Sequence, residues 1–227
     1  MKKKMVAALA LLAALPLAAQ VKETNRLDAC RDVLREVLDM PEGIPRDLLG
    51  KAECVMVIPS AKKFALGFGG RFGKGAAVCR TGGRGPWGPP LMVSIGGGNF
   101  GLQIGGEAVD LVFLVMNRKG MEHLLQSQFT LGADASVAAG PKGRNAEAAT
   151  DIQMHAEILT YSRSRGLFAG IAIDGAVIKQ DKDGNERVYG DAVSPKALLF
   201  TPGQAVPPAG KGLVDALREI SPEKIGP

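Results

Sequence analysis

KKFALGFGGRFGKGAAVCRTGGRGPWGPPLMVSIGGGNFGLQIGG, residues 62–106, is the stretch that decides the fold. Half of the glycines, 15 of 30, lie between Gly67 and Gly106. They alternate with Phe, Val, Leu and Ile at strand spacing, the pattern of strands that bend sharply or approach one another closely. No acidic residue occurs between Glu53 and Glu107, whereas Lys62, Lys63, Arg71, Lys74, Arg80 and Arg84 are all basic. A glycine-shaped sheet carrying one sign of charge is what a function has to explain.

Within the stretch, the glycine clusters predict two hairpins. One runs from Phe64 to Arg80, turns between Gly69-Gly70 and Gly73, and returns along Ala76 to Arg80. The other pairs Leu91–Ile95 with Phe100–Ile104 across Gly96-Gly97-Gly98-Asn99. Between them, residues 81–90 read as an exposed Gly/Pro loop carrying Trp87, the only tryptophan.

Upstream, Leu27, Cys30, Leu34, Val37 and Leu38 recur at three- and four-residue steps, predicting a helix over 22–40 that Pro41 and Gly43 end. A short helix is expected from Pro45 to Lys51, then a buried strand, Cys54–Ile58, closed by Pro59. Downstream, Val109–Met116 is apolar on both faces except at Asp110, as a central strand would be. Asn117–Phe129 reads as a helix burying Met121, Leu124, Leu125 and Phe129. Residues 144–155 fit either a loop or a short helix. Ile158–Ser162 and Leu167–Lys179 read as strands, Asp183-Gly184 as a turn, and Glu186–Gly190 as one helical turn. The expected fold is α+β: a bent, mainly antiparallel β-sheet or partial barrel with packed helices.

Lys2, Lys3 and Lys4 precede an apolar run, Met5–Leu15, and then the small residues of Pro16-Leu17-Ala18-Ala19. This is the pattern of a secretory signal peptide over residues 1–19, too short to span a bilayer. Gln20 stands where a lipoprotein needs Cys. The mature chain is expected in the periplasm or outside the cell, peripheral to a membrane. Without the three lysines the formal net charge falls from +5 to +2, so a general affinity for nucleic acid is not expected. Residues 22–200 are read as one domain with its core at 48–190. A Pro/Gly linker and a short helix, Leu213–Ile220, follow within 201–227.

Of the three cysteines, Cys54 and Cys79 lie in strand-like runs and form a candidate disulfide; the alternative is three small buried thiols. No metal-ligand spacing accompanies them, so no metal and no cofactor is expected. Gly96, Gly98 and Gly101 spell G-x-G-x-x-G, but Leu102-Gln103-Ile104 continues as strand where a dinucleotide site needs a helix. Gly73-Lys74 lacks the first glycine and the hydroxyl of a P-loop, although glycine-turn amides beside Arg71 and Lys74 suit an anion. Asp181-x-Asp183-Gly184-Asn185 lacks calcium-loop spacing. His123 and His155 have no hydrolase motif around them, and Ser94, Ser127, Ser136 and Ser162 have no evident base. Asp110, Asp134 and Asp174 are read as structural polar residues. Catalysis is not expected; a hydrolase joining a Ser to His123 or His155 is a remote alternative.

The candidate binding residues are Lys62, Lys63, Arg71, Lys74, Arg80, Arg84 and Trp87. Cations beside an interfacial aromatic suit an anionic membrane surface, each basic residue contributing ~1 kcal/mol. The competing reading is a structural envelope protein that binds a protein partner, of unknown identity, through the same surface.

FGGRFGKGAAVCR, GPWGPP, GGGNFGLQIGGEAVDLVFLV, FTLGADASVAAGPKGR and YSRSRGLFAGIAIDGAVIKQD, in that order, resemble the successive blocks of the SYLF domain, also called the Ysc84-type or DUF500 domain. The resemblance spans roughly Leu48 to Gly190. It implies lipid binding without catalysis, and its bacterial members are exported single-domain proteins. Some yeast members bind actin, but an exported chain is not expected to meet it.

Overall fold

The computed structural model describes the backbone of residues 2–143, 155–164, 167–190 and 193–225, and their side chains except at 2–19, 63–69 and 98–107. The fold is α+β, a curled mixed sheet forming a half-barrel with helices against it. Two long strands dominate, β1 (Cys54–Cys79) and β2 (Leu91–Val115), paired antiparallel from Cys54↔Val115 to Ala77↔Leu91.

The two expected hairpins are therefore one. Gly70 pairs with Gly98, Arg71 with Gly97 and Phe72 with Gly96, so the glycines bend a continuous ribbon instead of reversing it. The reversal is made by residues 80–90, where Gly82 (φ 63°) and Gly83 (φ 85°) take left-handed backbone. Pro59 does not close the first strand either. β1 passes it through a bulge between Ile58 and Ala61, with Ser60 at φ 48°.

Flat, 26 residues of strand would span ~85 Å at 3.3 Å each. The Cα atoms of Cys54 and Cys79, at the two ends of β1, are 3.9 Å apart. The ribbon is bent double, and its arms meet where side chains are absent. A Cβ on Gly75 would lie 1.8 Å from the Val57 carbonyl oxygen, and one on Gly73 would lie 2.5 Å from Ile58 Cγ2. The Arg80 N–H donates to the Glu53 carbonyl at 2.7 Å beside the disulfide.

The remaining strands are β3 (Gln128–Thr130), β4 (Val137–Ala139), β5 (Ile158–Ser164), β6 (Leu167–Gly170) and β7 (Val177–Gln180). β2 is central: β1 covers one edge, β7 pairs with residues 93–96 on the other, and β5 with residues 110–115. β3 extends the sheet beyond β7, while β6 and the parallel β4 flank β5. Between Gly97 and Val109, β2 pairs with β1 alone among the described residues.

Strand alternation sends successive residues to opposite faces, and both faces are covered. Val55, Val57, Val112 and Leu114 pack on one side against Leu27, Cys30 and Leu34 of α1 (Lys2–Asp39), with Leu48 and Leu49 of α2 (Arg46–Lys51). Met56, Ile58, Leu111 and Phe113 pack on the other with Met121 of α3 (Arg118–His123). This accounts for the two-faced apolarity of 109–116.

Three further expectations are corrected. The helix over Asn117–Phe129 stops at His123, because Leu124–Ser127 turns the chain so that Phe129 enters β3; Leu125 is only partly buried. Leu167–Lys179 is not one strand: it is β6 and β7, separated by a turn at Asp174-Gly175 (Gly175 φ 74°). Asp183-Gly184 lies inside α4 (Lys182–Tyr189), whose first turn Asp181 caps by accepting the Gly184 N–H. Residues 144–154, open between loop and helix, lie outside the described residues. α5 (Pro195–Phe200) buries Leu198 and Leu199, and α6 (Lys211–Ile220) buries Leu213, Val214 and Leu217 in the core shared with α1.

Candidate functional site

The curl distributes the basic residues unequally. Lys62 is exposed, opposite Ala108 at the foot of the two-stranded arm; the Lys63 side chain lies outside the described residues. Arg71 is half-buried opposite Gly97. Its Nε is buried without a hydrogen-bond partner, and burial pushes the guanidinium pKa down. Phe72, beside it, is 55% exposed. A Cβ on Gly96, its cross-strand partner, would meet nothing within 4 Å, so the sheet is open there.

Lys74 occupies a row that crosses four strands, Lys74–Ser94–Lys179–Gln128. Its Nζ lies 2.9 Å from Asp181 Oδ2, which Arg26 also approaches to 2.7 Å. Glu23 then bridges Arg26 (2.8 Å) and Arg187 (2.9 Å). Burial pushes the Asp181 pKa up, but hydrogen bonds and charge from Lys74 and Arg26 outweigh it and hold the carboxylate below its ordinary range. Lys74 thus fastens α1 and α4 to β1. Lys179, exposed in the same row, is a cation that the reading of residues 62–106 missed, because only the β2–β7 register brings it there.

Arg80 and Trp87 are not on the surface; both are 0% exposed. The Arg80 guanidinium lies over the indole at 4.2 Å and donates to the Ser221 carbonyl and hydroxyl and the Glu223 carbonyl. Trp87 Nε1 donates to the Ser221 carbonyl at 2.8 Å. These acceptors lie just past α6, whose C-terminal end favours a nearby cation. The expected headgroup pair is an interior pair that holds the C-terminal side of α6. Arg84, four residues on from Arg80, is exposed.

Cys54 and Cys79 form a disulfide. Cys30 is a buried free thiol whose pKa burial pushes up to about 12. His123 Nε2 lies 3.0 Å from Glu157 Oε2, and its ring stacks on Phe129. Burial raises the Glu157 pKa, but Lys119 and His123 outweigh it and hold the carboxylate down. Ser136 Oγ accepts the Glu157 N–H, and Asp134 accepts the Thr130 N–H. Each of these polar side chains stabilises local structure.

Residues 96–220 match the family model Ysc84, described as "Las17-binding protein actin regulator". SH3 domain-containing protein PJ696.02 of Schizosaccharomyces pombe is 35% identical over 194 residues, covering 84% of this chain and 44% of that protein. LAS seventeen-binding protein 3 of Saccharomyces cerevisiae is 32% identical over 195 residues, 85% of this chain and 42% of that protein. The human SH3 domain-containing YSC84-like protein 1 is 32% identical over 158 residues, 69% of this chain and 46% of that protein. The chain spans less than half the length of these relatives. The expectation that actin is not a partner is overturned by the match itself, since the family is described as one of actin regulators. The chain belongs to the Ysc84 family, the family of the SYLF domain.

Proposed function

We propose that this protein is a non-catalytic binding module that recognises anionic lipid headgroups, exported by residues 1–19 and working at the cell envelope. The observation that carries the reading is the two-stranded arm. It carries Lys62, Lys63 and Arg71 against one acid, Glu107 opposite Lys63, with Lys62 exposed and Phe72 exposed just beyond it. A bilayer with anionic lipid offers both the field for the cations and the interface for the aromatic ring. Arg71 and Arg84 extend the field, while Lys74, paired with Asp181, and Arg80 and Trp87, both buried, contribute to it only through the fold.

Sedimentation with anionic and with zwitterionic vesicles, across a salt series, tests the reading. Binding is expected to anionic vesicles only and to weaken with salt. Replacing Lys62, Lys63 and Arg71 together with Ser should lower it about tenfold or more, given ~1 kcal/mol for each cation. Salt-independent binding to both vesicle types, or none to either, would sink it.

A second reading, a protein-binding surface, is favoured by the family's description and the yeast relative's name, which both specify protein partners. The discriminating experiment is capture from envelope extract before and after removal of lipid. A partner that is retained after delipidation, and lost from the triple Ser variant, supports this second reading.

A further inference from the structure

The segment after α6 does not trail away. It lies in a cleft between the end of α2, Glu53 and the 80–87 loop. At one end Arg80 and Trp87 grip Ser221 as described, and Arg80 Nη1 also approaches the Pro222 carbonyl at 3.4 Å. Next, Lys224 Nζ meets Glu53 Oε1 at 3.0 Å, with side chains only 8% and 10% exposed. At the far end the Ile225 N–H donates to the Gly50 carbonyl at 2.9 Å. A Cβ on Gly50 would lie 2.5 Å from Ile225 Cδ1, and one on Gly83 would lie 2.6 Å from Glu53 Oε2, so both glycines are cut to the shape of what lies against them. The side chains of Pro222 and Glu223 are exposed, and Ile225, one side of which lies against Gly50, is 51% exposed.

An empty cleft of this kind would be costly. A buried guanidinium and a buried carboxylate would each lose the partner that the segment supplies, and an uncompensated buried charge is among the largest single destabilising effects. The recognition is also specific. Arg80 and Trp87 read backbone carbonyls and one hydroxyl, Glu53 reads one cation, and Gly50 leaves room for one aliphatic side chain. The two positions between are met through their backbone carbonyls only, and their side chains are not read.

We propose that this cleft is a peptide-binding site, filled by the chain's own Ser221–Ile225. Its ligand class is an extended segment with the pattern hydroxyl residue, two unread residues, Lys, aliphatic. Supplied from another molecule, such a segment binds in the same way once the tethered one is displaced. The site does not depend on lipid binding, and vesicle experiments leave it untouched.

The test uses the full chain and a labelled peptide of residues 219–225, EISPEKI. Trp87, the only tryptophan, reports the docked state by its own fluorescence. Lys224→Glu in the chain places a carboxylate against Glu53. Its Trp87 emission should shift to the red, and it should bind the peptide at least tenfold more tightly than the wild-type chain, whose tethered segment competes at high effective concentration. Glu53→Lys should reverse the preference, taking the Lys224→Glu peptide over the native one. The double variant Glu53→Lys/Lys224→Glu should restore wild-type emission and weak peptide binding, and it also serves if either single variant folds poorly. Unchanged Trp87 emission in Lys224→Glu would overturn the proposal. So would released Trp87 without peptide binding, or peptide binding indifferent to either charge reversal.

Discussion

The Asp110 carboxylate accepts the backbone N–H of Ser60 at 2.8 Å, across fifty positions of sequence. Ser60 is the non-glycine residue with positive φ among those described, and it sits in the bulge where β1 leaves the flat sheet. The other Asp110 oxygen takes Arg163 Nε and Nη2 at 2.9 and 2.7 Å, and Arg163 in turn pairs with Glu36 of α1. One carboxylate in the otherwise apolar run 109–116 thus fixes the bulge, the neighbouring strand and the helix above them.

Asp110→Ala is expected to cost about 2–3 kcal/mol, since it strips both the Ser60 N–H and Arg163 of an acceptor. Asp110→Asn, which keeps an acceptor for Ser60, should cost roughly half as much. Urea unfolding midpoints measure both. Equal losses in the two variants would mean that the bulge does not depend on that hydrogen bond.

Gly75 and Gly96 provide a matched pair. A methyl at Gly75 would run into the Val57 carbonyl, whereas one at Gly96 would enter open space. Gly75→Ala should destabilise by about 3 kcal/mol through overpacking against backbone and leave more free thiol at Cys54 and Cys79. Gly96→Ala should stay within about 0.5 kcal/mol of the wild type. Thermal melts with thiol titration would show whether closure of β1 or glycine flexibility is the requirement.

The disulfide joins residues 25 positions apart. Its removal in Cys54→Ala/Cys79→Ala should cost about 3 kcal/mol by loop-closure entropy. The fold should survive, because the Arg80 N–H to Glu53 carbonyl bond and the packing around Gly73 and Gly75 still join the arms. Unchanged far-ultraviolet circular dichroism at a lower melting temperature is the expected result.

Asp181 links stability to pH. Its folded-state pKa is depressed by Lys74 and Arg26 despite burial. Its contribution is therefore fully present above the ordinary carboxylate value, near ~4, and drains away as pH falls through the lower folded value. Asp181→Asn should cost about 3 kcal/mol at pH 7, mainly through the buried Arg26 pair, and should flatten the loss of stability below pH ~4. Urea midpoints from pH 7 downwards check both. An acid limb as steep in the variant as in the wild type would place the titration elsewhere.

Much of this was legible in the chain because period and composition act locally. The three- and four-residue steps from Leu27 to Leu38 could bury one face only as a helix. The apolarity of Val109–Val115, broken only at Asp110, required a strand with cover on both sides, and clustered glycines required a bent sheet. What failed was the direction of the bend. Gly69-Gly70-Arg71 and Gly96-Gly97-Gly98 satisfy the local rules for a reversal as well as for a kink. Only their pairing with each other, 27 or so positions apart, makes a kink the stable choice.

Residue types and their spacing are enough for the fold class, the family and a segment of unmixed positive charge. The tertiary structure alone decided which of those charges meet solvent. Arg80 and Trp87 have the chemistry of a membrane contact, yet the return of the chain after α6 supplies carbonyls that bury them. Lys74 is drawn to Asp181, a carboxylate it shares with Arg26, while Lys62 and Phe72 stay exposed. A cation's role depends on which acceptors arrive within 3 Å, and these came from 141 and 107 positions away.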